Sequence, residues 1–199
     1  MSKPRKDSLA AYRKKRDFHR TSEPAPRKKK SGKQPIFVIQ KHDARNLHYD
    51  FRIEVDGVLK SWAVPKGLST DPKAKRLAIP TEDHPLDYAR FEGVIPKGEY
   101  GGGTVMIWDK GTYRNVSKKD DKEVPIERAL QNGHVAVWLT GKKLSGGYAL
   151  HRTGHGERER WLMVKMKDKE ADARRKPLRT ERKSAVSGRT MKQIVKKGK

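Results

Sequence analysis

Leu47-His48-Tyr49-Asp50-Phe51-Arg52-Ile53-Glu54-Val55 alternates without a break. Apolar side chains stand at every odd position, and an imidazole, a carboxylate, a guanidinium and a second carboxylate stand at the even ones. A period of two is that of a β-strand with one face in a core. The other face then carries His48, Asp50 and Arg52 in a row, about 7 Å from one to the next. His42 lies a few residues upstream, close enough to fold back onto the same patch. Two histidines and an aspartate are ligands for a divalent ion, and an arginine beside them suits a phosphate. The competing reading is a half-exposed sheet face whose polar residues only stay wet, because His-x5-His-x-Asp is not a closed zinc signature.

Outward from this strand, the chain from Pro35 onward reads as short strands punctuated by turns. Ile36–His42 is apolar and β-branched, and Asp56-Gly57 marks a tight turn into Val58–Val64. Arg76–Pro80, Gly103–Asp109, His134–Thr140, Gly147–Arg152 and Arg160–Lys167 are further strands, with Gly111, Gly141 and Gly156 near the turns between them. Helical pattern is scant: a turn or two in Asp83–Arg90, and Val124–Asn132 with Pro125 at its start and Gly133 past its end. Closely spaced strands without βαβ alternation predict a mainly β fold, a small antiparallel β-barrel with short helices. They exclude a doubly wound nucleotide fold.

The composition sets the partner class. The 199 residues carry a formal net charge of +24, which points to a polyanion. Residues 1–34 hold thirteen Lys or Arg against three acids, and residues 168–199 hold twelve against four. Both ends are poor in large apolar side chains, so they are expected as flexible basic N- and C-terminal arms on a domain spanning 35–167. Ser8–Arg16 is expected as a short helix capped by Ser8 and ended before Pro24. No stretch has the length of a membrane span and no apolar signal segment opens the chain, so a cytoplasmic, nucleoid-associated protein with no membrane partner is expected. The absence of cysteine excludes disulfides, thiolate metal sites and a cysteine nucleophile.

Other segments offer chemistry. In Glu82-Asp83-His84-Pro85-Leu86-Asp87-Tyr88, His84 falls at or near the start of a short helix, where it could donate to a phosphate oxygen or protonate a leaving group. Alternatively Asp83 caps the turn and His84 is an exposed loop residue. Lys66 and Arg76 flank the turn-rich loop 65–72, where either could clamp a nucleic-acid backbone. Gly98-Glu99-Tyr100-Gly101-Gly102-Gly103 lacks the Gly-Lys-Ser/Thr ending of a phosphate loop and reads as a loop entering a strand, with Tyr100 either a base-stacking or a structural residue. No Gly-x-Ser-x-Gly elbow is present.

Taken together, Gln40-Lys41-His42, Leu47 to Arg52, Leu59-Lys60-Ser61-Trp62-Ala63-Val64-Pro65-Lys66-Gly67, Glu82 to Tyr88 and Phe91-Glu92-Gly93-Val94-Ile95-Pro96 stand in a distinctive order and spacing. Over about residues 8–167 the chain resembles the 3′-phosphoesterase module of bacterial DNA ligase D, which also occurs free-standing. The resemblance implies a Mn²⁺-dependent β-barrel enzyme, with Zn²⁺ or another divalent ion possible at the same site. Such an enzyme removes a 3′-terminal ribonucleoside from a DNA end and then hydrolyses the resulting 3′-phosphate to a 3′-hydroxyl.

Carried over by position, His42, His48 and Asp50 would hold the metal. Arg52, His84 and Tyr88 would be catalytic, contacting the scissile phosphate. Lys66, Arg76 and Gln40 would bind substrate phosphate or nucleic acid, and Arg16, Asp17 and Glu23 would assist with the ribonucleoside end. His84 is expected as an imidazolium, and water as the direct nucleophile. The context implies DNA with 3′-ribonucleotide or 3′-phosphate ends as partner, with a separate ATP-dependent ligase, a polymerase and a Ku-type protein. Two rivals stand beside this reading: a non-catalytic DNA-binding or recruiting protein that kept the barrel, and a metal-dependent nuclease.

Overall fold

β1 (Ile36–Asp43) pairs on both of its edges, with β2 (Leu47–Val55) and with β6 (Gly103–Asn115), and this double pairing closes the sheet. In the computed structural model, which describes residues 7–198, the order runs β1-β2-β3-β4-β11-β10-β9-β6 and back to β1, all antiparallel: an eight-stranded barrel. The remaining barrel strands are β3 (Val58–Val64), β4 (Arg76–Pro85), β9 (His134–Gly141), β10 (Ser145–Arg152) and β11 (Trp161–Lys165). β5 (Gly93–Ile95) adds to the free edge of β6, and β7 (Lys118–Lys119) and β8 (Lys122–Glu123) form a small separate ladder. Short helices follow the expectation in kind: α1 (Ala10–Lys14), α2 (Ile126–Asn132), α3 (Pro177–Thr180), α4 (Met191–Lys197) and a 3₁₀ turn over Leu86–Arg90. Among the described residues no helix is long and apolar enough to cross a membrane. Residues 1–6 of the expected N-terminal arm and Lys199 of the tail lie outside the described residues.

The alternating strand forms as read, and its odd positions Tyr49, Phe51, Ile53 and Val55 enter the barrel interior with Trp62, Trp108, Leu150 and Trp161. Asp56 and Gly57 both take positive φ, 48° and 76°, the pair of values a two-residue hairpin with matching twist requires. α2 starts after Pro125 and stops at Gly133, whose left-handed φ of 73° ends it as the sequence suggests.

The structure corrects several expectations. β4 continues through Thr81 and Glu82 to Pro85, so His84 stands on a strand rather than on a helix. β6 runs through Gly111 to Asn115, so Gly111 is not at a turn. A Cβ there would collide with the backbone of Thr140, which makes it a point of close strand approach. α1 is five residues long, and the amide of Leu9 is capped by Asp7 at 3.0 Å, not by Ser8.

Largest of these corrections, the polar face of β2 is not half-exposed: Asp50, Arg52 and Glu54 are all buried. A second apolar layer covers it, built from Leu9 and Tyr12 of the N-terminal segment, Tyr88, Ala89 and Phe91 after β4, Ile95 of β5, and the outward residues Val38, Leu59, Val105 and Ile107. The few apolar residues of both basic segments thus pack on the barrel. At the other end Ile194 of α4 joins the core, and Trp108 Nε1 donates to the Glu181 carbonyl at 2.7 Å.

Candidate metal and phosphate site

The β1–β2 hairpin places His42 directly opposite His48 and Gln40 opposite Asp50. Period two then puts all four, and Arg52, on the outward face. The imidazole centroids of His42 and His48 lie 4.8 Å apart. Asp50 Oδ2 is 3.4 Å from His42 Nδ1, and Oδ1 is 3.6 Å from His48 Nε2. One ligand atom from each of the three residues fits within 4.8 Å of the others.

The outer nitrogens decide what this cluster presents. His42 Nε2 lies 2.8 Å from the Gly101 carbonyl, and His48 Nδ1 lies 2.8 Å from the Asn46 carbonyl. A carbonyl only accepts, so these nitrogens carry the protons. In the neutral tautomers, His42 Nδ1 and His48 Nε2 turn their lone pairs toward the Asp50 carboxylate, three acceptors flanked by Arg52 Nη2 at 3.1 Å from Asp50 Oδ2. A cation is what such a set requires, and two carbonyl-oriented histidines with one carboxylate fit a divalent ion. Burial alone would raise the Asp50 carboxyl, but the Arg52 guanidinium beside it outweighs burial and holds it below the usual carboxylate range.

Arg52 is fixed from three sides. Its Nη2 lies 3.1 Å from Asp50 Oδ2, its Nε donates to Gln40 Oε1 at 2.8 Å, and its guanidinium sits 4.9 Å from the Tyr88 ring centre. Gln40 is itself locked, its Nε2 donating to the carbonyls of Tyr88 and Phe91 at 3.0 and 2.9 Å.

His84 is buried between two guanidinium groups: Nδ1 lies 3.0 Å from Arg52 Nη1, and Nε2 lies 3.3 Å from Arg16 Nη2. Nδ1 also lies 2.8 Å from the Glu82 carbonyl. Burial first, and then the Arg52 and Arg16 charges, hold its imidazole well below the ordinary value of about 6.5. His84 is therefore neutral, which overturns both the expected imidazolium and the alternative of an exposed loop residue.

The N-terminal segment completes the wall. Arg16 pairs with Glu23 at 2.9 Å and with Glu82 at 2.8 Å, and its guanidinium lies 3.9 Å from the Tyr12 ring centre. Glu23 also accepts from the Tyr88 hydroxyl at 2.8 Å and from Thr21 at 3.1 Å. Burial, with Glu23 adding to it, raises the Tyr88 phenol well above its ordinary value. Burial opposes ionisation of Glu82, but the bonds from Arg16 and Lys15 prevail and keep it a carboxylate. The result is a cavity of about 280 Å³ whose lining includes Arg16, His42, His48, Asp50, Arg52, Glu82, His84, Tyr88 and Tyr100.

The structure thus brings together His42, His48, Asp50, Arg52, His84, Tyr88 and Arg16, with Gln40 and Glu23 directly behind them. It does not bring in Lys66, exposed on the loop after β3, or Arg76, which opens β4 opposite Met163. Asp17 is also outside: it is exposed and accepts from the His19 amide at 3.0 Å, a local turn contact. Gln40 is completely buried, so it acts on a phosphate only through Arg52. Sequence reasoning assigned no role to Glu82 or Lys15, or to the carbonyls of Gly101 and Asn46. Glu82 stood inside a quoted motif, but its partners lie some seventy positions away, and backbone carbonyls leave no mark in a sequence.

With the geometry in place, residues 40–152, over half of the chain, match the family described as DNA Ligase D 3'-phosphoesterase domain. The chain belongs to that family. It is 50% identical over 171 residues to the multifunctional non-homologous end joining protein LigD of Pseudomonas aeruginosa, a match that covers 84% of this chain and 20% of that protein. The corresponding DNA repair protein LigD of Mycobacterium tuberculosis is 50% identical over 166 residues, covering 83% of this chain and 20% of the relative. LigD of Mycolicibacterium smegmatis is 46% identical over 166 residues, covering 83% and 21%. The chain therefore spans about a fifth of the length of the curated relatives it matches. The matched stretch contains the whole β1–β2 ligand hairpin from Gln40 on, His84 and Tyr88, whereas Arg16 and Glu23 lie upstream of it.

Proposed function

We propose that the chain is a metal-dependent phosphoesterase that processes DNA 3′ ends in break repair by end joining. In this reading it removes a 3′-terminal ribonucleoside to leave a 3′-phosphate, and then hydrolyses that phosphate to a 3′-hydroxyl. The observation that carries it is the convergence of three acceptors, His42 Nδ1, His48 Nε2 and the Asp50 carboxylate, beside the buried Arg52 guanidinium. A pure DNA-binding groove has no use for a carboxylate facing the phosphate.

A divalent ion held by His42, His48 and Asp50, Mn²⁺ by the family resemblance and Zn²⁺ equally by ligand chemistry, supplies Lewis-acid activation of the phosphoryl group and of the attacking water. Arg52, aimed by Gln40 and Asp50, binds the phosphoryl oxygens and offsets the charge that builds on them. Arg16 adds a second guanidinium from the opposite wall. Neutral His84 separates the two guanidinium groups, with Nδ1 against Arg52 and Nε2 against Arg16, and so holds them apart on either side of an incoming phosphate. Tyr88 braces Arg52 through its ring and Glu23 through its hydroxyl. Lys66 and Arg76, outside the cavity, belong to the flanking DNA if they contact phosphates at all. A ligase, a polymerase and a Ku-type protein as partners, and a cytoplasmic site on the nucleoid, form part of the same proposal, of which the names of the longer relatives support the end-joining context.

The test is a 5′-labelled primer–template ending in one or two ribonucleotides, and a second one ending in a 3′-phosphate, each incubated with the protein and Mn²⁺. Stepwise conversion to 3′-phosphate and then 3′-hydroxyl, lost in His48→Ala, is the expected result. Tight DNA binding with no product under any divalent ion would favour the recruiting protein, and cutting of circular single-stranded DNA would favour a nuclease.

A further inference from the structure

One side chain in the cavity wall has no part in the chemistry above. Tyr100 lies next to Gly101, whose carbonyl holds the metal-ligand candidate His42, and it lines the same cavity of about 280 Å³ as the three acceptors. Although it lines the cavity, it is 46% exposed. It is also held in place. Its hydroxyl lies 3.1 Å from Lys15 Nζ and 3.5 Å from Glu82 Oε2, while Lys15 and Arg16 stand 4.6 and 5.3 Å from its ring centre. The loop beneath is set by the Gly102 amide donating to the Glu99 carbonyl at 2.9 Å, and by Gly98 and Gly101 at φ 96° and 76°. A tethered aromatic ring, open on part of its surface and beside a phosphate-binding arginine pair, is a ready platform for a base.

A second observation comes from the other side of the same loop. A cavity of about 600 Å³ runs along Gly98–Gly103 and shares Ala44, Ile95 and Gly101 with the catalytic cavity. Its lining includes Arg45 and Lys97, neither with an ion-pair partner among the described residues, together with Asp43 and the Arg20-paired Glu99. The two cavities adjoin around the glycine loop, with the acceptor cluster in one, Arg45 and Lys97 in the other and Tyr100 on the loop between. A nucleic-acid strand, with bases and phosphates in alternation, has the chemistry to fill them.

We propose that Tyr100 is a nucleobase subsite: the base of a nucleotide flanking the scissile phosphate stacks on its ring, while the strand continues past Arg45 and Lys97. The inference rests on the function proposed above and names how that site recognises its substrate. Stacking is tolerant of base identity, so the subsite selects for the presence of a base rather than for its sequence.

The experiment compares the parent protein with Tyr100→Ala and Tyr100→Phe on primers that end in a normal ribonucleotide, in a ribonucleotide lacking its base, or in a normal ribonucleotide preceded by an abasic residue. Tyr100→Ala is expected to lower kcat/KM on the fully based end roughly 5- to 50-fold, mainly through KM. That loss should shrink on one of the two abasic ends, which reports whether the terminal or the penultimate base stacks. Tyr100→Phe keeps the ring, loses the hydroxyl contacts and should stay within about twofold of the parent, since the ring does the stacking. Binding of an oligonucleotide carrying 2-aminopurine at the sensitive position, in the presence of EDTA, gives a readout independent of turnover. Its fluorescence should be quenched by the parent and the Phe variant but not by the Ala variant.

Equal loss on all three ends, or a Phe variant as weak as the Ala one, would assign Tyr100 to propping Lys15 and Glu82 and overturn the subsite. No difference in quenching between the parent and Tyr100→Ala would overturn it as well. Quenching by the parent and Phe variant without turnover of any end would instead sink the proposed activity and leave the subsite standing.

Discussion

Gln40→Leu tests whether Arg52 is aimed by a buried network or simply packed. The change roughly conserves volume and removes three hydrogen bonds from a completely buried position. Arg52 Nε loses a bond to a charged donor, worth about 1.5–3 kcal/mol. The Phe91 carbonyl loses its partner, at about 1 kcal/mol or more. The Tyr88 carbonyl loses least, because it still accepts from the Phe91 amide at 3.0 Å. The sum is about 3–4 kcal/mol, and with a urea slope of about 2 kcal/mol/M the unfolding midpoint should fall by roughly 1.5–2 M. Phosphoester turnover should fall as well, because Arg52 can then swing away from the phosphate. Urea unfolding followed by tryptophan fluorescence reads the first effect directly. A midpoint within about 0.5 M of the parent would mean that Gln40 does not hold the network together, and the account of Arg52 would fail.

Asp50→Asn removes the single anionic ligand, so titration calorimetry should record at least a tenfold loss of Mn²⁺ affinity; an unchanged isotherm would remove Asp50 from the ligand set. Stability should fall with pH below about 6.5, because the unfolded chain then binds a proton that buried His84 refuses, at up to 1.36 kcal/mol per pH unit. His151, also lowered by burial and by His134 but largely exposed, adds a smaller share. His84→Gln should therefore flatten most of the slope between pH 7.5 and 5, and an undiminished slope would place its origin elsewhere. Gly103→Ala should lower the melting temperature by several degrees: φ is 148° there, and a Cβ would strike the Asp43 carbonyl and approach Ala44 Cα to 2.7 Å. A melt unchanged from the parent would show that the turn yields freely. Ending the chain after Asp168 should cost several kcal/mol, because it takes Ile194 out of the core, leaves Trp108 Nε1 without the Glu181 carbonyl and leaves the Thr70 hydroxyl without the carbonyls of Asp172 and Arg175. A truncated protein as stable as the parent would show that the tail merely rests on the barrel.

Some of this architecture was legible because its cause is local. Period two in 47–55 and the turn residues Asp56 and Gly57 are properties of neighbours in sequence, and β2 and β3 end where those patterns end. The bounds of β4 and β6 were not legible, because Thr81, His84 and Asn115 become strand through pairing with Ser61, Leu59 and Val137, each twenty or more positions away. The same holds for burial of the polar face of β2. Nothing in Asp50 or Arg52 says that Leu9, Tyr12 and Tyr88 will cover it, and without that cover a wet, half-exposed face stood as the alternative to a metal and phosphate site.

The ligand set itself was visible as three residues on one hairpin. Its protonation was not, since it depends on carbonyls of Asn46 and Gly101 and on two guanidinium groups around His84. Lys66 and Arg76 matched by position yet stand outside the cavity, because a loop and a strand end carry their side chains away from it.

The placement of His42, His48, Asp50 and Arg52 on one hairpin also fixes the order in which the site can assemble as the chain folds. A hairpin closes in microseconds, whereas contacts across many tens of residues wait for much of the barrel. The acceptors can therefore meet before Arg16, His84 and Gly101 arrive from about 25 to 60 positions away. A folding chain of this design acquires the means to catch a divalent ion early and the means to grip a phosphate late. An ion caught at that stage would bridge β1 and β2 while the rest of the barrel is still forming, and so act as a nucleus for folding as well as a part of the finished site.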